Sequence, residues 1–198
     1  MKYLLTFIVF LAFGAIAARP QTPTAPAKSA KAMVEEYWKM ETGGGRLTPE
    51  GWYKAATFYV HPIPPPRNKV IFVIHDDFSV WDPFMKGNTA EVMVGVGSAG
   101  QIDSSLHYTP PDTRFAKEGV MYNLVPTDKH WEFEPDGRTL KEVTGPLEWR
   151  CKDTPGAAIY LTVESAIRYV KKVRDKSSDP TIKKNADKTL AILKRYHH

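Results

Sequence analysis

The stretch Val70-Ile71-Phe72-Val73-Ile74 decides the fold class, because the spacing of apolar residues changes here from helical to extended. All five residues are apolar and four are β-branched, as expected of a strand buried on both faces. Residues 61–66, just before it, contain four prolines and predict an extended connector. The change of period therefore predicts an α+β protein, with helices before this stretch and a sheet from it onward.

Two helices are predicted ahead of the strand. The first begins at Ser29, a capping residue type, and ends at Gly43-Gly44-Gly45. The second begins at Thr48-Pro49-Glu50, which combines a cap, a proline at the first helical position and an acidic first turn. Both carry apolar residues at helical spacing, so each is expected to bury one face.

Five further strands are predicted after Val70-Ile71-Phe72-Val73-Ile74, separated by turn-forming sequences. They cover residues 91–96, 102–108, 120–125, 129–133 and 147–151. The short gaps in the second half favour an antiparallel meander. We expect a curved, mostly antiparallel sheet of about six strands.

Two amphipathic helices are predicted at the C-terminal end. The apolar stripe of the first consists of Val163, Ala166, Ile167, Val170 and Val173. The second opens at Asp179-Pro180, and its inward positions are Ile182, Ala186, Leu190 and Leu193.

The N-terminus has the composition of an export signal. Lys2 precedes an apolar run, and the small residues of Ala15-Ile16-Ala17 suit a cleavage site, so residues 1–18 are predicted to be a cleaved signal peptide. A retained anchor is the alternative, but the run is shorter than the roughly 20 residues of a spanning helix. Residues 19–28, rich in Pro, Thr and Ala, predict a flexible linker. We expect a periplasmic or secreted protein without a membrane span after cleavage, folded as one domain over residues 29–198, with a core of 29–151 and a helical pair in 158–198.

Positive charge is concentrated at the C-terminal end. The whole chain carries a formal charge of +5, and the part from Leu161 onward contains ten Lys and Arg against four Asp and Glu. Such a segment is either a solvated helix face or a contact for an anionic surface. The candidate contact residues are Lys171, Lys172, Arg174, Lys183 and Lys184. No specific nucleic-acid recognition is expected.

Cys151 and a glycine-rich run both have structural interpretations. Cys151 is the only cysteine, so the fold has no internal disulfide, and we expect a buried apolar filler. Residues 95–100 match the glycine pattern of a dinucleotide-binding turn, but an alternating segment follows where a helix is needed. We therefore predict a bend or bulge and no cofactor.

Two pairs of polar residues have the spacing of metal ligands on a strand. His75 and Asp77, and likewise His130 and Glu132, lie two residues apart and share a face. A zinc site uses three or four ligands, so the two strands would have to converge. We predict no metal site.

The order of elements over residues 29–151 resembles the cone-shaped α+β roll of the nuclear-transport-factor-two-like superfamily, which includes ketosteroid isomerases and scytalone dehydratase. The local sequences Leu47-Thr48-Pro49-Glu50-Gly51-Trp52 and Glu148-Trp149-Arg150 also look like those of exported bacterial proteins without an assigned activity. The superfamily resemblance implies a pocket between helices and sheet. The C-terminal helical pair departs from that pattern and would either plug the cone or argue against the resemblance.

Aromatic residues on the facing elements would line such a pocket. The candidates are Tyr37, Trp38, Trp52, Tyr59, Trp81, Tyr122 and Trp131. They favour a binding or interaction module for a small apolar or aromatic ligand, unless the basic helices instead contact an anionic surface.

An isomerase or dehydratase with an Asp or His base is the alternative function. Its candidate residues are Asp82, Asp103, His107 and Tyr108. On a strand over residues 102–108, Asp103 and His107 would lie about 13 Å apart, too far for a direct dyad. Side chains that point outward would argue against catalysis.

Overall fold

A computed structural model describes residues 25–61, 69–112, 117–134, 139–153 and 156–196. Over these ranges the protein is α+β, with four α-helices and a mostly antiparallel sheet. The predicted signal peptide and residues 19–24 of the predicted linker lie outside the described residues. None of the helices in these ranges is long and apolar enough to cross a membrane.

The two N-terminal helices begin where their capping residues predict. Helix α1 covers Ala30–Thr42, and the Ser29 side chain accepts a hydrogen bond from the Ala32 amide at 3.1 Å. A 3-10 turn, Gly45–Leu47, leads to α2, Pro49–Ala56, which is capped in the same way by Thr48. These side-chain acceptors satisfy amides that have no partner within the helix.

Seven strands occur in the described ranges. They are β1 Val70–Val80, β2 Phe84–Lys86, β3 Thr89–Ile102, β4 Tyr108–Thr109, β5 Lys117–Phe133, β6 Leu140–Cys151 and β7 Ala158–Thr162. The strand order is β6-β5-β3-β1-β7, and both β2 and β4 pair with β3. Among these seven strands β7 pairs with β1 in parallel, and the other pairings are antiparallel.

The predicted strands 120–125 and 129–133 are one continuous strand, β5. The turn-forming sequence between them, Pro126-Thr127-Asp128, produces only a register shift against β6, between Thr127 and Lys129. Strand β3 pairs with β5 no further than Leu124, so Pro126 lies where β5 has no partner on that side. A proline is tolerated at such an edge because no ladder bond needs its missing amide hydrogen.

The predicted strand 102–108 is wrong. The Asp103 amide donates to the His107 carbonyl at 3.1 Å, which makes residues 103–107 a turn, and β4 then pairs back onto β3. One Asp103 carboxylate oxygen accepts from the amides of Ser105 and His107, each at 2.9 Å. This local bonding replaces the sheet ladder that the alternating sequence predicted.

Strand β7 was not predicted, although it explains the burial of β1. In β1, Ile71 and Val73 belong to the core formed with β7 and the C-terminal helices. The neighbouring Phe72 stacks on Tyr160 of β7, and Tyr160 packs against the core of the N-terminal helices. The prediction that this stretch is buried is confirmed for Ile71, Val73 and Ile74, whereas Val70 is 40% exposed and Phe72 is half-buried.

The C-terminal helices pack on the face opposite to α1 and α2. Helix α3 covers Val163–Lys176, and α4 covers Pro180–Leu193 with Asp179 as its cap. Consecutive residues of β7 alternate between the two cores, since Ile159 and Leu161 contact these helices whereas Tyr160 faces the other way. The C-terminal pair therefore builds a second core and does not fill the first.

Candidate ligand-binding site

A cavity of about 350 Å³ lies between α1, the end of α2 and the C-terminal part of β6. Its lining is apolar on one side and charged at the rim. The lining residues are Ala27, Lys28, Met33, Glu36, Tyr37, Met40, Lys54, Thr57, Phe58, Glu148, Trp149 and Arg150. A concave site with a mostly apolar wall and a few polar groups is typical of small-molecule binding.

The segment after α2 brings Phe58 beside the end of β6. The Cys151 amide donates to the Phe58 carbonyl at 2.9 Å, and the Val60 amide donates to the Cys151 carbonyl at 2.8 Å. These two bonds extend the sheet by a short parallel bridge. As a result Phe58 and Trp149, from distant parts of the chain, line the same cavity.

The aromatic wall is rigid because its rings pack on one another. The rings of Tyr37 and Phe58 stack with centroids 4.3 Å apart, and both meet the Tyr122 ring edge-on. The hydroxyls of Tyr37 and Tyr59 are 3.0 Å apart and share a hydrogen bond. Burial raises the pKa of Tyr37 and Tyr59, so both phenols stay neutral and the wall carries no charge at neutral pH.

The rim has one more positive than negative charge. Lys28 pairs with Glu36 at 2.5 Å, and Arg150 pairs with Glu148 at 2.6 Å. Lys54, in the last turn of α2, has no carboxylate partner within the described residues. An anionic group at the rim would meet an uncompensated ammonium.

Arg150 is held in a buried network at the base of this rim. Its Nη1 donates to the Trp149 carbonyl at 3.1 Å, and its Nη2 lies 3.1 Å from His130 Nδ1. His130 Nε2 is 2.6 Å from the Pro146 carbonyl, so a neutral imidazole that carries its proton on Nε2 satisfies both contacts. Arg150 Nε, although buried, has no acceptor in the described part of the chain. An unpaired buried donor of this kind costs free energy in the folded protein.

Of the seven predicted pocket residues, Tyr37 alone lines this cavity. Trp38, Tyr59 and Tyr122 are buried in the surrounding core. Trp52 is also buried, with the Arg46 guanidinium 5.2 Å from its ring centroid. The other two are Trp81, which is 56% exposed, and Trp131, whose Nε1 donates to the Val60 carbonyl at 3.2 Å.

The prediction omitted Phe58, Lys54 and Arg150 from the site. The dense aromatic content near Phe58 was visible in the sequence, but its pairing with β6 was not. Arg150 lies in the predicted strand 147–151, and the alternation of residues in that strand does not indicate that its guanidinium is buried. These residues meet through long-range pairing alone.

The four candidate catalytic residues do not converge. Asp82 follows β1, has a side chain that is 89% exposed, and pairs with Lys31 of α1 at 2.9 Å. The amide of its neighbour Trp81 donates to the carbonyl of Met93, near the start of β3. Asp103 directly follows the end of β3, ten residues after Met93. At the rise of a strand, this separation puts the carboxylates of Asp82 and Asp103 on the order of 30 Å apart.

Asp103 and His107 are close neighbours, contrary to the 13 Å expected for a strand. Their contact runs from the His107 backbone amide to the carboxylate, and both side chains lie on an exposed turn. The Tyr108 hydroxyl donates to the Ala99 carbonyl at 2.6 Å inside the second core. These contacts show structural roles for Asp103 and Tyr108.

The glycine-rich run lies within β3, and part of it borders an area of the sheet that no helix covers. A register shift opposite Val73 and Ile74 gives the predicted bulge. His75, Asp77 and Trp81 line a groove of about 630 Å³ over Gly95 and Gly97. Over the ranges that the structure describes, no group of three or more His, Cys, Asp or Glu side chains lies close enough to hold a metal ion.

The predicted basic residues lie on the surface of α3 and α4. Arg174 pairs with Asp175 at 3.1 Å and with Asp187 of α4 at 3.0 Å, so its charge is compensated. Lys171, Lys172, Lys183 and Lys184 are exposed.

Comparison with known proteins gives no assignment, since no protein-family model, curated protein or solved structure matches the chain.

Proposed function

We propose that the protein is a binding module for a small amphiphilic ligand, which has an apolar or aromatic body and one anionic group. The cavity between α1, α2 and β6 is the site. The observation that carries this proposal is the position of a rigid aromatic wall, Tyr37 with Phe58 and Trp149, beside Lys54, which has no carboxylate partner among the described residues.

The aromatic wall suits a flat or apolar ligand body. Its rings are already packed in the protein, so binding costs little side-chain entropy. An offset or edge-to-face contact with an aromatic ring contributes about 0.5–1.5 kcal/mol beyond the burial of area. The ligand's anionic group would then lie at the rim, toward Lys54.

Binding is favoured over catalysis by the state of the polar groups in the cavity. A general base in an apolar pocket needs a free carboxylate or imidazole that faces the ligand. The carboxylates of Glu36 and Glu148 are both ion-paired, and both ring nitrogens of His130 are engaged. The isomerase or dehydratase alternative has no comparable residue here.

The proposal also includes export of the protein and its relation to the cone-shaped superfamily. The pattern of residues 1–18 supports secretion or a periplasmic location, and N-terminal sequencing of the mature protein tests it. The packing of α1 and α2 against the sheet supports the cone-shaped superfamily, whereas the second core that α3 and α4 build on the opposite face departs from it.

The binding proposal is tested with 8-anilinonaphthalene-1-sulfonate, a fluorescent probe that has an aromatic body and one sulfonate. We expect saturable binding that Thr57→Trp abolishes, because a large ring at this lining position fills the cavity. Lys54→Met should weaken binding roughly fivefold, the effect of about 1 kcal/mol from one lost charge contact.

The matched control is Lys39→Met, since Lys39 is an exposed lysine of α1 outside the cavity. N-phenyl-1-naphthylamine, which lacks the sulfonate, should bind wild type and Lys54→Met equally. Equal urea midpoints for wild type and the variants would show that the dye does not bind to a partly unfolded core. Unchanged affinity in both Thr57→Trp and Lys54→Met would show that the cavity is not the site.

A further inference from the structure

A second groove, of about 500 Å³, lies between the turn around Gly44 and helix α3. Its floor is formed by Leu47, Tyr169 and Val173, all partly buried against the second core. Burial raises the pKa of Tyr169, so its phenol is neutral. The groove therefore has an uncharged, largely apolar floor.

The rim of this groove is cationic. Arg168, Lys172 and Lys176 line it, and their four-residue spacing stacks them one helical turn apart on one side of α3. Arg168 pairs with Glu164, but Lys172 and Lys176 have no carboxylate partner among the described residues. No Asp or Glu lines the groove.

We infer that this groove binds the headgroup and upper acyl chain of an anionic membrane lipid and so docks the protein on an anionic bilayer. The cations would meet lipid phosphates while the floor accepts methylene groups. An apolar contact combined with a basic surface is the pairing that makes peripheral membrane binding stable.

The spread of charge favours a bilayer over a single free amphiphile. Lys171, the neighbour of Lys172 in α3, is a further exposed cation on the same helix. One small ligand would meet only the rim of the groove, whereas a surface with many headgroups can meet all of these cations. The floor offers one aromatic ring, Tyr169, and no series of rings on which successive bases of a nucleic acid could stack, whereas Leu47 and Val173 suit methylene groups.

The test is sedimentation of the full chain with vesicles of phosphatidylcholine, either alone or mixed with phosphatidylglycerol. We expect binding only to the mixed vesicles, weakening as salt rises. The double variant Lys172→Gln/Lys176→Gln should bind about thirtyfold more weakly. The control Lys39→Gln/Lys141→Gln removes the same charge from exposed lysines outside the groove and should bind as wild type.

Two soluble competitors separate the sources of the anionic group. Dihexanoyl phosphatidylglycerol should displace the protein from vesicles, whereas glycerol phosphate, which lacks acyl chains, should not. Equal competition by the lipid and by glycerol phosphate would show that the groove binds only the anionic group. Equal competition by polyglutamate would indicate an acidic protein partner. Either result overturns the proposal.

Retained vesicle binding by Lys172→Gln/Lys176→Gln would also overturn it. Both residues are exposed, and an unchanged urea midpoint confirms that the variant is folded. Lys54→Met should leave vesicle binding intact, so failure here and failure of the cavity proposal are distinguishable.

Discussion

Glu41 of α1 and Arg46 of the 3-10 turn form a buried two-point ion pair. Arg46 Nε lies 2.7 Å from Glu41 Oε2, Nη2 lies 2.6 Å from Oε1, and the residues are only 4% and 1% exposed. The guanidinium also donates to the carbonyls of Gly156 and Ala158, while Glu41 Oε1 accepts from the Tyr160 amide at 3.0 Å. One ion pair therefore ties the N-terminal helices to β7.

Replacing Glu41 should be strongly destabilising. Glu41→Gln leaves the Arg46 charge buried without its counter-ion, and such losses typically cost about 3–5 kcal/mol. Urea unfolding should show a lower midpoint with an unchanged slope. Asp82→Asn is the matched control, because it breaks an exposed ion pair with Lys31. The structural role would be refuted if both variants had the same midpoint.

Gly51→Ala should reverse the usual effect of this substitution in a helix. Alanine normally stabilises a helix relative to glycine by about 0.5–1 kcal/mol. A Cβ at Gly51, however, would lie 1.6 Å from the Gly45 carbonyl oxygen, so α2 and the 3-10 turn would have to separate. We expect a loss of at least about 2 kcal/mol in the free energy of unfolding. Lys54→Ala, at an exposed position of α2, should change it little, and stabilisation by Gly51→Ala would show that the contact is absent.

The helices could be predicted because their signals are local. Ser29, Thr48-Pro49 and Asp179-Pro180 cap amides within three residues, so the sequence around each start contains the whole interaction. Strand β7 has no such signal, since its five residues become a strand only by pairing with β1, more than eighty residues earlier. Residues 103–107 alternate like a strand, but hydrogen bonds from the amides of Ser105 and His107 to the Asp103 carboxylate make them a turn.

The candidate site was less predictable than the fold for a related reason. Tyr37 and Trp38 are neighbours on α1 with the same chemical character, yet Tyr37 lines the cavity and Trp38 is fully buried. The approach of Phe58 to β6 and the pairing of Arg150 with His130 determine which residues face the cavity. Both depend on contacts between distant segments.

The Cys151 thiol should be inert in the folded protein. It is 1% exposed, and burial raises its pKa from 9.0 to about 12. At neutral pH, we expect reaction with a thiol-specific disulfide reagent only on unfolding, so the labelling rate should rise with urea in parallel with the unfolded fraction. Rapid labelling of the native protein would contradict the burial.

The raised pKa of the Cys151 thiol makes the stability of the folded protein depend on pH in the alkaline range. The unfolded chain loses the thiol proton near pH 9 while the folded protein keeps it to about pH 12, so the unfolded state binds fewer protons between these values. The thiol's contribution to stability is complete below pH 9 and is lost as pH rises toward 12. Cys151→Ala should therefore show a shallower alkaline loss of stability than wild type, measured by urea unfolding at each pH.

Two variants of Asp103 distinguish a structural role of its carboxylate from a catalytic one. The carboxylate accepts two backbone hydrogen bonds, so Asp103→Ala should cost about 1–2 kcal/mol in the free energy of unfolding, whereas Asp103→Asn retains an acceptor oxygen and should cost less. Urea unfolding of the two variants checks this order. A catalytic base would behave differently, because an amide cannot take a proton and both variants would then lose activity equally. Equal destabilisation by Asn and Ala would show that the carboxylate's acceptor bonds do not hold this turn.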